Sequence, residues 1–184
     1  LQGRVGIGHT RWATHGKPSE RNAHPHRAGS VVIVHNGIIE NYRELRAELE
    51  AAGAQMNSDT DTELIAHLIE GRIQAGRDLL TATREACARL EGSYAFGALC
   101  EKAPGQLVAA KNGGSPIIIG QSEKDAFLAS DIPAILPYTR EIISLFDGDF
   151  ALLSEDGIEV VDIEGRLLER EFQNVQWDPV SAEK

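Results

Sequence analysis

The chain has 184 residues, 42% hydrophobic and 25% charged, with 18 basic against 28 acidic side chains and a formal charge of −10. That length predicts one domain, able to bury roughly 70% of its unfolded surface without disulfide or metal staples. The acidic balance argues against nucleic acid or an anionic membrane as partner, no apolar run approaches the ~18 residues of a bilayer span, and two cysteines do not make a secreted disulfide scaffold. A reducing compartment, the cytoplasm, is the expected setting. The opening Leu1-Gln-Gly-Arg4 has no initiator methionine and reads as neither signal peptide nor natural start, so a segment of a longer polypeptide is expected.

Residues 1–40 hold five of the six histidines (His9, His15, His24, His26, His35) among glycines and polar turn residues. Ser30-Val-Val-Ile-Val-His35 is β-branched and unbroken, which predicts a strand buried on both faces, with Asn36-Gly37 as a tight turn at its end. Asn41 is placed to cap a helix, with Glu44 three residues on, Leu45 and Leu49 on one face and Gly53 as the stop. Thr60-Asp-Thr-Glu63 has capping-box spacing, Leu64, Ile65, Leu68, Ile69 and Ile73 follow in helical register, and Gly76 ends that helix. A third helix is predicted over 79–90, stopping at Gly92. Strands are then predicted at 93–101, 106–112, 116–120, 142–146, 149–154 and 158–163, with Asp147-Gly148 and Asp156-Gly157 as hairpin turns. Periodicity is lost from residue 174, so the domain is placed at 1–173 and 174–184 is read as the start of a linker. Helices in a block among antiparallel strands predict an α+β fold, not a doubly wound parallel sheet. Gly3-Arg-Val-Gly-Ile-Gly8 has glycines but neither the strand before nor the helix after that a phosphate-binding loop requires.

The residues capable of chemistry concentrate in the first third. In His9-Thr-Arg-Trp-Ala-Thr-His-Gly16, Arg11 can clamp a carboxylate with two parallel hydrogen bonds and Trp12 can cover it; a strand end whose arginine pairs with a surface acid fits the same residues. His24-Pro-His26 has two imidazoles and no further acidic or thiolate ligand at metal spacing, so histidines bonding backbone groups in a polar pocket are preferred over a zinc site. Asn36-Gly37 can place a side-chain amide and an unobstructed N–H toward a developing oxyanion; taken alone, a tight turn is the better explanation. Asp59 and Asp61 stand at a helix start, where one is explained as a cap and the other is left to face a ligand ammonium. Cys87 and Cys100 fall in register with core residues and neighbour no base, so neither is read as a nucleophile.

Taken together, His9–Gly16, Asn22-Ala-His-Pro-His26, Val34-His-Asn-Gly-Ile-Ile-Glu-Asn41 and Ser58-Asp-Thr-Asp-Thr-Glu63 resemble the glutaminase domain of the glutamine–fructose-6-phosphate aminotransferase family. That domain is a class II glutamine amidotransferase with the N-terminal-nucleophile hydrolase fold. The resemblance extends to Gly113-Gly-Ser-Pro116, Ala129-Ser-Asp131 and the closing Gln-Trp-Asp and Ala-Glu-Lys, and so covers essentially the whole chain. It implies an αββα sandwich of two mainly antiparallel sheets covered by helices, here without its first strands, and no cofactor or metal. It further implies that an N-terminal cysteine, expected upstream of Leu1, attacks the glutamine amide with its own α-amine as base. Asn36 and Gly37 would hold the oxyanion, Arg11 the α-carboxylate and Asp61 the α-ammonium. Trp12, Thr14 and His15 would line the pocket, with His24 close by in a less defined role. The implied partners are L-glutamine and L-glutamate, isomerase domains of the same polypeptide beyond Lys184 that receive the ammonia, and a second copy of the chain, since open strand edges favour a homo-oligomer. Without the cysteine the chain is expected to be inactive. The glutaminase of another class II enzyme, such as a phosphoribosyl-pyrophosphate amidotransferase, and a non-catalytic amino-acid-binding module remain the alternatives.

Overall fold

Two antiparallel sheets account for every strand in the computed structural model, which describes residues 3–10 and 17–176. The elements in chain order are β1 (His26–Ala28), β2 (Val31–Ile39), α1 (Tyr42–Ala51), α2 (Thr62–Gln74), α3 (Leu79–Cys87), β3 (Gly92–Cys100), β4 (Leu107–Asn112), β5 (Ile118–Gln121), β6 (Ala126–Ala129), β7 (Glu141–Ser144), β8 (Phe150–Ser154), β9 (Gly157–Val161) and β10 (Gln173–Asn174). The first sheet has the order β1-β2-β3-β4-β8-β9 and the second β10-β7-β5-β6.

Alternation along the central strands separates two cores. Tyr94, Phe96, Ala98 and Cys100 of β3, Val108 and Ala110 of β4 and Phe150 of β8 point to the helices and pack with Ile33, Leu64, Ile65 and Ile69. Ala95, Leu107, Ala109, Ala151 and Leu153, on the opposite face, meet Ile119 and Ile143 of the second sheet. Small residues on one sheet opposite isoleucines on the other let the layers approach. At Gly97 that approach is tightest, since a Cβ there would lie 2.8 Å from the Leu128 side chain. Nearly every apolar residue of α2 is buried because the helix lies on β1 and β2 and also packs against α1 and α3. All three α-helices lie on the first sheet. Among the described residues the outer face of the second sheet is covered by a short 3₁₀ turn, Ile132–Ala134, with Ile135, Leu136 and Val175.

The α+β class and both sheets' antiparallel pairing agree with the sequence reading, and several local expectations do not. Asn36-Gly37 does not turn the chain: β2 runs through it, with Asn36 opposite Ala95 and Gly37 opposite Tyr94. β2 is also buried on one face only, Val31, Ile33 and His35 inside and Val32, Val34 and Asn36 half-exposed. The capping box does not form. Asp61, not Thr60, is the cap residue of α2 and makes no capping bond, because both carboxylates of that turn are bonded elsewhere. Asn41 precedes α1 without a side-chain cap and instead ties the chain around Arg89 and Glu91. Asp156-Gly157 joins a true hairpin, β8 to β9, but Asp147-Gly148 links strands in different sheets. The strands β1, β6 and β10 were not predicted; at two to four residues they carry too little pattern to read.

Candidate active site

β1 reaches only as far as Ile33, so among the described residues β2 from Val34 to Ile39 has no strand neighbour on that side. Backbone N–H groups of alternate residues in a strand point the same way. On the open side, the His35 N–H donates to His24 Nδ1 at 3.3 Å and the Ile39 N–H donates to Asp61 Oδ2 at 2.9 Å. The N–H of Gly37 lies between them in the same direction, with no acceptor among the described residues. A glycine is needed there: φ is +143°, and a Cβ would lie 2.2 Å from the Ser93 carbonyl oxygen and 2.8 Å from His35 Nε2.

Four imidazoles surround this edge. His9 Nε2 lies 2.7 Å from Asn36 Oδ1, its ring stacks on His24 with centroids 4.3 Å apart, and His24 meets His26 edge-on at 4.9 Å. His26 Nε2 is 3.1 Å from the Thr60 hydroxyl, and His35 Nδ1 is 3.0 Å from that of Thr62. Burial drives the pKa of His35 down to about 4; Asp61 and the Ser93 carbonyl oppose that shift, while His9 and His26 reinforce it. His35 is therefore neutral when folded and protonates more readily when unfolded. Its lowered pKa makes the fold lose stability as pH falls from 6.5 toward about 4. His35→Gln is expected to flatten the urea-unfolding midpoint across that window; an unchanged slope would show that His35 is not the group responsible.

Asp61 is 3% exposed, yet only one of its oxygens is hydrogen-bonded among the described residues. The loop that carries it is held by Glu63, whose carboxylate accepts from the Asn57 N–H, the Ser58 N–H and the Ser58 hydroxyl, each at 2.7 Å. Burial alone would raise the Glu63 pKa, but the His67 ring 3.9 Å away and the hydrogen bonds from Asn57 and Ser58 outweigh it and bring the value down to about 2. Ser58 continues to Thr60, and so to His26. Asp59, two residues from Asp61, faces outward to Arg21 and Asn22.

The structure thus brings Asn36, Gly37, Asp61 and His24 together on one strand edge. Arg11, Trp12, Thr14 and His15 lie outside the described residues. His9, His35 and Glu63 were not singled out from sequence. His9 belongs to the His9–Gly16 motif with no local partner, and the spacing of Glu63 from Thr60 points to a capping box. The histidines bond a backbone N–H, two hydroxyls and the Asn36 side-chain amide, and no group of three His, Cys, Asp or Glu is placed to hold a metal among the described residues. Cys87 and Cys100 are buried in the helix-side core, and burial pushes the Cys87 thiol far up. A cavity of about 610 Å³ lies at the other end of β2, between Ser30, Leu99 and Pro104, with its charged groups on an exposed rim.

A two-sheet antiparallel α+β domain with this strand edge defines a class, and the chain belongs to it: the family described as "Glutamine amidotransferase domain" matches residues 9–137. The relatives narrow the class. The chain is 50% identical over 183 residues to the "Glutamine--fructose-6-phosphate aminotransferase [isomerizing]" of Aquifex aeolicus and 49% identical over 183 residues to that of Symbiobacterium thermophilum, in both cases over 98% of its own length. It spans 30% of the length of each of these relatives. Among solved structures, the glutamine phosphoribosylpyrophosphate amidotransferase from B. subtilis superposes with a TM-score of 0.71 at 24% identity, over 86% of this chain and 35% of that one, and shares the fold. No described helix is long and apolar enough to cross a membrane.

Proposed function

We propose that the chain is the glutamine-hydrolysing domain of a glutamine–fructose-6-phosphate aminotransferase, supplying ammonia for glucosamine 6-phosphate. The observation that carries this reading is the pairing of an outward-directed Gly37 N–H with the half-exposed Asn36 amide on an open strand edge. In the reaction, a cysteine thiolate outside this chain attacks the glutamine side-chain carbonyl carbon. The tetrahedral oxyanion collapses, the nitrogen takes the thiol's proton back from the cysteine's α-amine as the C–N bond breaks, and ammonia leaves; water then hydrolyses the thioester to glutamate and frees the thiol. Asn36 and Gly37 donate to the oxyanion, each contribution worth about 3 kcal/mol in the transition state. Asp61, fixed by one oxygen to the Ile39 N–H, offers the other to the α-ammonium, and Arg11 takes the α-carboxylate. Trp12, Thr14 and His15 complete the pocket wall. The proposed partners are L-glutamine, L-glutamate, further domains of the same polypeptide and a second copy of the chain.

The 1–184 chain is expected to bind L-glutamate in a calorimetric titration and to release none from glutamine. Asp61→Asn is expected to weaken binding at least about tenfold, the loss of one charge-assisted hydrogen bond. A polypeptide extended upstream to an N-terminal cysteine is expected to hydrolyse glutamine. Hydrolysis by 1–184 itself would overturn the assignment of the nucleophile.

A further inference from the structure

We propose that His9 is a positioning residue that sets the polarity of the Asn36 amide, holding Oδ1 inward and turning Nδ2–H₂ toward the substrate. The proposal rests on the glutaminase reading for its consequence in catalysis, but its structural half stands on this chain alone. A carboxamide is nearly symmetric in shape, so a protein that needs its NH₂ end in one place must mark the oxygen end with a donor. Among the described residues the one side-chain hydrogen bond of Asn36 is to His9 Nε2, at 2.7 Å. If His9 carries its proton on Nε2, it donates to Oδ1 and leaves both Nδ2 hydrogens available to an oxyanion. If the proton sits on Nδ1, Nε2 accepts from Nδ2 and the amide turns its oxygen, a repulsive partner, toward the developing negative charge.

Two features of the surroundings select the first arrangement. His9 Nδ1 is buried with no partner among the described residues. A proton there would be an orphaned buried N–H, which is costlier than an unused lone pair. Placing the single proton on Nε2 puts it into the 2.7 Å hydrogen bond. The ring itself is held by stacking on His24, whose Nδ1 accepts the His35 N–H and is therefore unprotonated. The strand that carries Asn36 thus also anchors, through His24, the ring that orients it.

Two experiments test this. Long-range ¹H–¹⁵N correlation spectra of the histidine-labelled 1–184 chain at pH 7.5 report the tautomer directly. The Nε2–H form of His9 is expected, and the Nδ1–H form would overturn the proposal whatever the enzyme's activity. In the polypeptide carrying this segment and its nucleophile, His9→Leu keeps an apolar side chain against His24 and removes the donor. It is expected to lower glutaminase kcat about 10–100-fold, part of the loss seen on deleting an oxyanion donor, with KM changed less than about twofold. His9→Gln retains an N–H donor and is expected to recover most of kcat. The double variant His9→Leu/Asn36→Ala is expected to be no slower than Asn36→Ala alone, because His9 acts only through Asn36. Additive losses, or failure of His9→Gln to recover kcat, would overturn it. A parent polypeptide that hydrolyses no glutamine would instead refute the proposed function, leaving the tautomer measurement to decide the role of His9.

Discussion

Gly37→Ala is expected to destabilise the chain by roughly 3–5 kcal/mol, the combined size of a strained backbone and a buried overlap. The added methyl group would fall 2.2 Å from the Ser93 carbonyl oxygen, an atom of the neighbouring strand that cannot swing aside as a flexible side chain would. The φ of +143° would have to change as well, in the middle of a paired strand. Relief requires β2 to move away from β3 at Gly37, which displaces the Asn36 amide and the hydrogen bonds of His35 and Ile39 along with it. The measurement is urea unfolding followed by far-UV circular dichroism. A loss under about 1 kcal/mol would mean that the strands yield there and that Gly37 is not a steric requirement.

Glu63→Gln ranks second, with an expected loss of roughly 2–4 kcal/mol at pH 7, the scale for leaving buried donors without their charged acceptor. Glu63 is 1% exposed and serves the Asn57 N–H, the Ser58 N–H and the Ser58 hydroxyl. The amide of glutamine would turn an NH₂ group toward at least one of those donors. The pH dependence has a definite sign. The folded pKa lies near 2 against an ordinary 4.5, so the folded state binds the proton less tightly than the unfolded one. The stabilisation is therefore complete above pH 4.5 and lost as pH falls toward about 2. A shift of this size corresponds to something on the order of 3 kcal/mol. Glu63→Gln is expected to remove most of the acid-induced loss between those pH values, seen as a flatter plot of unfolding free energy against pH. An acid limb identical to that of the parent would assign the dependence to other carboxylates. Since Glu63 holds the loop that presents Asp61, the same variant is expected to bind L-glutamate more weakly.

Both positions show how much of the site was legible in the sequence. Asn36 and Gly37 were marked by residue type, and their pairing suggested an oxyanion site, but Asn-Gly is also the commonest turn pair and nothing local distinguishes the two. What distinguishes them is β3, more than fifty residues away along the chain, whose Ser93 carbonyl makes glycine necessary inside a strand. Glu63 was noticed for the wrong reason. Its spacing from Thr60 is that of a capping box, but its carboxylate reaches Asn57 and Ser58 instead of the Thr60 N–H. Local spacing states which bonds a side chain can reach, and the packing of the loop against β1 and β2 states which it makes. Nothing local assigns a partner to His9, since Asn36 lies 27 residues on.

The sequence by itself determined the α+β class, the positions of all three helices, seven of the ten described strands, the burial of both cysteines and the cluster of residues that carries the chemistry. These follow from periodicities of 3.6 and 2 and from residue types, which are properties of short segments. Tertiary structure alone decided that Asn36-Gly37 is strand, that Asp61 reaches β2 instead of capping α2, that the histidines stack beside Asn36, and that Asp147-Gly148 crosses between sheets. Each of these depends on where one strand edge is left open and which side chains the next layer brings to it. Backbone donors on an open edge must find acceptors, and those acceptors come from whatever the fold, not the neighbouring sequence, places within 3 Å or so.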